Sequence, residues 1–281
     1  MALITSPSNP RISRARELQT SKGRKKHGLF LMEGPHLLEV LLDSAIIPTE
    51  VYYQPTLLER TVQGRSLLNR LLHSTGLSGD SLVEVSERVI ESVSETQTSQ
   101  GVVSILPLSA FTPQRTRARR PASSRPALLI LDGLADPGNM GTILRTALAA
   151  DVAEVLLTPN CVDCFSPKVV RAAAGAHVAL PVAVDQAWDA IEAEIEKHSP
   201  GERRVLLAEA GSSRWYFEQD LRAPFALITG NEAHGPSREA RKLATASISI
   251  PLLNKVESLN AAMATGIILY EAVRQMRTQN M

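Results

Sequence analysis

After Ala127 the chain alternates short apolar runs with stretches of helical pattern, and that alternation leaves few folds open. The runs Ala127–Leu131, Glu154–Thr158, Leu180–Val184, Val205–Ala208, Phe225–Thr229 and Ile248–Ile250 read as strands. Between and after them, about Gly138–Ala150, Pro167–Ala174, Ala187–Lys197, Ser237–Leu243 and Ser258–Met276 read as helices. Ala127–Leu131 is apolar at every position, as suits a strand covered on both faces. A mostly parallel sheet with helices on both sides satisfies this order. Such sheets bind ligands at the carboxyl ends of their strands.

The first 106 residues predict a second, smaller α/β domain. Asn9-Pro10 reads as a cap and first residue of a helix reaching about Gln19, followed by a basic loop, Lys22–Gly28. Strands are expected at Leu29–Met32, Val51–Tyr53, Val83–Val85 and Val102–Leu106. Helices are expected after Gly34-Pro35, over Thr56–His73 and near Ser86–Val93. Pro107 to Pro126 holds four prolines and five arginines with no apolar period, which predicts a linker over 107–126 and a second domain over 127–281.

The net charge of +1 conceals two concentrations of positive charge. Residues 1–36 carry seven Lys/Arg against Glu17 and Glu33, and residues 111–126 carry five arginines with no acid. Each segment is +5, which leaves −9 on the rest of the chain. Basic segments on an acidic body suit a polyanionic partner, and equally suit a solvated tail and tether. No run of about 18 apolar residues occurs, so no membrane span is expected, and residues 1–19 have no apolar signal region. The two cysteines, Cys161 and Cys164, make no disulfide framework, and a cytoplasmic location is expected. Their spacing is zinc-like, but no second Cys/His pair accompanies it, so no metal is expected.

Three polar clusters in the second half follow apolar strands. In Asp136–Arg145, Asn139 can cap the next helix, and Arg145 lies inside an otherwise apolar helix where a defined partner is expected. The segment lacks the third glycine of a dinucleotide fingerprint, and it lacks the Gly-Lys-Ser/Thr of a phosphate loop. Gly230-Asn231-Glu232-Ala233-His234-Gly235 is a flexible turn exposing backbone groups that can read an adenine edge. In Ile250–Asn260, Ser258 reads as the cap of the last helix and Asn260 falls in its first turn. That helix is apolar nearly all round, as in a core or a subunit interface.

Together and in this order, the three clusters resemble motifs 1, 2 and 3 of the SpoU/TrmH family of RNA ribose 2′-O-methyltransferases, in the SPOUT superfamily. Asn9-Pro10, the basic stretch and Phe30–Gly34 resemble the ribosomal protein L30e-like substrate-binding domain of its longer members. The resemblance implies an α/β fold: a carboxyl-terminal SPOUT-type α/β-knot domain with a deep trefoil knot, behind a smaller L30e-like α/β domain. It implies a homodimer, S-adenosyl-L-methionine as cofactor and RNA as substrate, with large-subunit ribosomal RNA favoured over transfer RNA. A non-catalytic RNA-binding or ribosome-assembly factor of the same fold is the alternative.

By position, the resemblance assigns catalytic roles to Asn139, Arg145, Glu232, Ser258 and Asn260, and cofactor-binding backbones to Gly230, Ile250 and Leu259. The implied reaction is in-line attack of a ribose 2′-oxygen on the sulfonium methyl, with Arg145 near the hydroxyl. Asp151, Ala233 and Asn254 depart from the family pattern by standing where glycine is common.

Overall fold

A computed structural model of the 281-residue chain describes residues 3–73, 77, 79–96, 98–119, 127–222 and 224–278. Its contacts form two compact units, Met1–Phe111 with Phe165–Val178, and Thr112–Cys164 with Ala179–Met281. Arg120 and Arg125 of the expected linker lie outside the described residues.

The first unit is a four-stranded sheet covered on both faces. Its strands are β1 (Leu29–Glu33), β2 (Glu50–Tyr53), β3 (Leu82–Glu84) and β4 (Val102–Pro107), in the order β1-β4-β2-β3. The antiparallel pairs β1–β4 and β2–β4 join a parallel pair, β2–β3. Alternation along the strands splits the core in two. Leu31, Tyr52, Val103 and Ile105 point to one face, packing with Ile12, Ala15 and Leu18 of α1 (Pro10–Glu17) and its continuation. Phe30, Met32, Val51, Tyr53 and Val102 point to the other, against leucines of α3 (Pro35–Asp43) and α5 (Val62–His73). Phe165, Val170 of α9 (Pro167–Ala172) and Val178 join this second core, Phe165 lying 4.9 Å from the Phe30 ring.

Three local expectations for the first unit change. Lys22–Gly28 is no loop: Ser21–His27 forms α2, because Thr20 Oγ1 accepts from Gly23 N–H at 3.1 Å and Gly28 ends it at φ 65°. The helix expected over Thr56–His73 breaks into α4 (Pro55–Leu58) and α5, where Thr61 Oγ1 accepts from Gly64 N–H at 2.9 Å. A Cβ at Gly64 would lie 2.0 Å from the Leu58 carbonyl oxygen, so the break needs glycine there. The basic start is also partly engaged by the chain itself. Arg11 and Arg14 pair with buried Glu50, Tyr52 Oη donates to that same carboxylate, Lys26 pairs with Glu17, and Arg24 is buried against the Leu18 and Gln19 carbonyls.

The second unit is a six-stranded, wholly parallel sheet in the order β10-β8-β9-β5-β6-β7. The strands are β5 (Ala127–Leu131), β6 (Glu154–Leu157), β7 (Val182–Ala183), β8 (Val205–Ala208), β9 (Phe225–Thr229) and β10 (Ala246–Ile248). Helices α8 (Pro137–Ala149), α10 (Trp188–His198), α11 (Arg238–Leu243) and α12 (Ala261–Thr278) accompany them. The arginine-rich stretch is partly helical: in α7 (Pro113–Arg119), Arg117 pairs with buried Glu154 and with Glu194 at 3.0 Å. No helix among the described residues is long and apolar enough to cross a membrane.

Candidate functional site

Ala208, Thr229 and Ile248 end three adjacent strands, β8, β9 and β10, and together they floor a cavity of about 500 Å³. This is where an open parallel sheet places a ligand. Ile250, Leu252, Ala264 and Ile268 add apolar wall, while Glu209, Arg241, Glu232 and Asn260 add polar groups. An apolar slot with a polar rim suits a flat heterocycle carrying hydroxyl groups.

The rim is built by helix ends. Asp136 caps α8, its Oδ1 accepting from Asn139 N–H at 2.7 Å. Asn139 is therefore not the expected cap but a first-turn residue whose side chain is left to bond outside its own helix. Likewise Ser258 does not cap the last helix. Asn260 does, its Oδ1 accepting from Ala262 N–H at 2.9 Å and Met263 N–H at 3.2 Å. Thr265 Oγ1 donates to the Ala261 carbonyl at 2.7 Å, so the 2.9 Å bond to Thr229 Oγ1 is donated by Thr229. That bond ties the start of α12 to the end of β9.

These caps set up a polarised chain of hydrogen bonds. Asn260 Nδ2 donates to Asn139 Oδ1 at 2.8 Å, and Asn139 Nδ2 donates to Glu232 Oε1 at 2.9 Å. Backbone N–H groups at one end and a carboxylate at the other leave neither amide a choice of orientation. Glu232 also accepts from Ala135 and Asp136 N–H at 3.2 and 3.3 Å. Burial alone would raise its pKa, but the Asn139 amide and the backbone donors outweigh it and hold the carboxyl below its ordinary value. Glu232 is thus an ionised anchor at the amino end of α8, where the helix dipole favours it.

The Glu232 loop folds back on itself. A Cβ at Gly230 would lie 2.5 Å from the Pro236 nitrogen, so only glycine fits. Asn231 Nδ2 donates to the Gly133 carbonyl at 2.7 Å, and its Oδ1 accepts from Ala233 and His234 N–H at 2.9 Å. Buried Asp132 accepts from Ser237 N–H at 2.7 Å. Sequence reasoning gave Asn231 and Asp132 no role, although an acid just past a buried strand is itself a signal. Glu209, which accepts from Arg241 and from Ser247 Oγ, was also missed.

Of the nominated residues, Asn139, Glu232, Ser258, Asn260, Gly230, Ile250 and Leu259 all line the cavity. Arg145 does not. It is exposed, and among the described residues it has no hydrogen-bond or ion-pair partner, contrary to expectation. Six residues along a helix turn it about 120° away from Asn139 and shift it about 9 Å. Two departures from the family pattern occupy left-handed backbone: Asp151 at φ 56° and Asn254 at φ 58°. Asp and Asn tolerate that region better than other side chains, so the glycine conformation persists without glycine. Cys161 and Cys164 form no disulfide, and no metal-holding cluster occurs among the described residues.

Comparison with known proteins adds to this geometry. Residues 126–270 match the SpoU rRNA Methylase family, and residues 9–104 match the MRM3-like substrate binding domain. An uncharacterized tRNA/rRNA methyltransferase of Synechocystis is 35% identical, covering 98% of this chain and 94% of its own. The 23S rRNA (guanosine(2553)-2′-O)-methyltransferase of Bacillus subtilis is 31% identical, covering 96% and 98%. The AdoMet-bound rRNA methyltransferase from Sinorhizobium meliloti is 30% identical, covers 98% of both chains and superposes with a TM-score of 0.79.

Proposed function

The chain belongs to the SpoU rRNA methylase family, and on that premise we propose that it methylates a ribose 2′-hydroxyl of large-subunit ribosomal RNA, using S-adenosylmethionine. The observation that carries the reading is the Asn260–Asn139–Glu232 chain at the mouth of a strand-end cavity. When bound, S-adenosylmethionine supplies an electrophilic methyl on a sulfonium. The apolar slot between Ile250, Leu252 and Ile268 suits its adenine, and Glu209 suits its ribose hydroxyls.

The protein's own residues then have positioning work to do. Each rim amide has a second N–H beyond the one it donates within the chain, and these can orient the substrate ribose. Arg145 is always protonated, so it stabilises developing oxyanion charge rather than taking the proton. Its exposure on another face of α8 fits a role in a site completed by a second copy of the chain. A homodimer is further supported by apolar residues left on the surface beside the cavity: Leu253 at 77% exposure, Met263 at 60% and Tyr270 at 49%. The trefoil knot of the family belongs to the same reading. So does a cytoplasmic setting, supported by the likeness to the Bacillus subtilis rRNA methyltransferase.

The test is transfer of labelled methyl groups to deproteinised large-subunit ribosomal RNA and to transfer RNA, scored by alkali-resistant linkages. Label in the ribosomal RNA supports the proposal. Label only in transfer RNA changes the substrate, and cofactor binding without transfer to either leaves an RNA-binding factor that has lost the reaction.

A further inference from the structure

We infer that an open cleft of about 510 Å³ in the first unit is a cradle for an RNA backbone phosphate, formed by Arg16, Arg88 and the hydroxyls of Thr5, Ser6, Ser8 and Ser13. This rests on the RNA-methylating reading and names where the first unit grips its substrate.

One turn and two helices build the cleft. Asn9 N–H donates to the Ser6 carbonyl at 3.1 Å, closing a turn in which the Ser6 and Ser8 hydroxyls share a 2.7 Å hydrogen bond. Ser13 and Arg16 are three residues apart on α1, so they share a face. Arg88 rises from the first turn of α6 (Glu87–Val93), which packs beside α1.

Most other arginines of the unit answer to the chain itself: Arg11 and Arg14 to Glu50, Arg60 to Glu87, Arg70 to Asp43. Arg171 is also exposed, but it shares its surface pocket with the carboxylates Glu33 and Glu95. Arg16 and Arg88 are exposed and, among the described residues, without hydrogen-bond or ion-pair partners. Their sequence neighbours do not serve them, because Glu17 is held by Lys26 and His27, and Glu87 by Arg60. Two arginines lining one cleft with serines and a threonine, and with no lining carboxylate, call for an anion. A phosphodiester takes forked donors from arginine and single donors from serine, and such contacts position RNA without reading its sequence.

The test uses the full chain and a fluorescent oligouridylate of about 20 nucleotides, longer than one binding module's footprint. Binding is followed by anisotropy between about 50 and 200 mM salt. Arg16→Ala with Arg88→Ala should weaken binding by about tenfold and flatten the salt slope by about 1.4, two single-strand contacts' worth. Arg16→Lys with Arg88→Lys should keep the slope, and the melting temperature should hold in both variants. A double alanine variant with wild-type affinity and slope overturns the inference, as does wild-type binding that ignores salt. Methyl transfer is scored in parallel. Normal transfer with an unchanged slope sinks the cradle alone, and a flattened slope without any transfer sinks the enzymatic reading alone.

Discussion

Asn260 Nδ2 donates to Asn139 Oδ1 across 2.8 Å, joining residues 121 positions apart at the amino ends of two helices. The bond exists because each asparagine's backbone surroundings are already satisfied. Asp136 caps α8 in place of Asn139, and Asn260 uses only its oxygen to cap α12. Both amide nitrogens are thereby released toward the cavity mouth.

Asn139→Ala removes the middle of this chain, leaving Glu232 and Asn260 to turn independently. Loss of one preorganised donor costs on the order of 10²-fold in turnover. Asn139 is half-buried at the rim of an open cavity, so stability should change only modestly. Asn139→Asp should be as damaging, since two carboxylates side by side cannot both ionise easily. Single-turnover methyl transfer and calorimetric cofactor binding check this, and transfer at the wild-type rate in both variants would remove the amide chain from the mechanism.

Glu232 gives the site a pH dependence of fixed sign. Its carboxyl is held below its ordinary value by Asn139 and backbone donors. Its stabilising effect is therefore fully present above the unfolded-chain value and is lost as pH falls through the lower, folded value. Glu232→Gln should lower stability at neutral pH, and its deficit should shrink in acid as the wild-type carboxyl itself becomes protonated. Melting curves at pH values on either side of the ordinary carboxylate range test it. A deficit that grows on acidification would contradict the assignment.

Much of this was legible from residues alone, for identifiable reasons. The runs Ala127–Leu131, Val205–Ala208 and Phe225–Thr229 are apolar at nearly every position and could only be buried strands, and they are β5, β8 and β9. Helix ends were less legible, because several polar residues near each end can all cap. Asp136, Asn139, Ser258 and Asn260 are each good caps by type, and only three-dimensional neighbours decide among them. The basic segments were only partly legible for a related reason. Charge counts along the chain do not reveal that Glu50, distant in sequence, pairs with Arg11 and Arg14 and leaves other arginines open.

The same distinction separates two arginines of α7. Arg117 pairs with Glu154, whose side chain is buried, whereas Arg115 is exposed with no partner among the described residues. Arg117→Ala strands that carboxyl, which then holds a proton, and should destabilise the second unit by about 2 kcal/mol, a buried-pair cost discounted for the half-exposed arginine. Arg115→Ala should leave melting unchanged. If Arg115 meets a phosphate, its loss flattens the salt slope of RNA binding by about 0.7 to 0.9. Equal melting temperatures for the two variants would show that the ion pair is idle.

Arg145 separates structural from chemical roles most cleanly. A side chain in solvent with no partner among the described residues contributes little to folding, so Arg145→Ala should melt like the parent chain. It should also bind S-adenosylmethionine normally, because Arg145 is not part of the cavity wall. Methyl transfer should nonetheless fall by on the order of 10²- to 10³-fold, the cost of removing a donor aimed at developing negative charge. Arg145→Lys keeps the charge but loses the planar fork, so an intermediate rate is expected. Stopped-assay methyl incorporation beside calorimetry and melting resolves the three quantities. If Arg145→Ala transfers methyl groups at the parental rate, the arginine is a solvated surface residue and the oxyanion must be met from elsewhere.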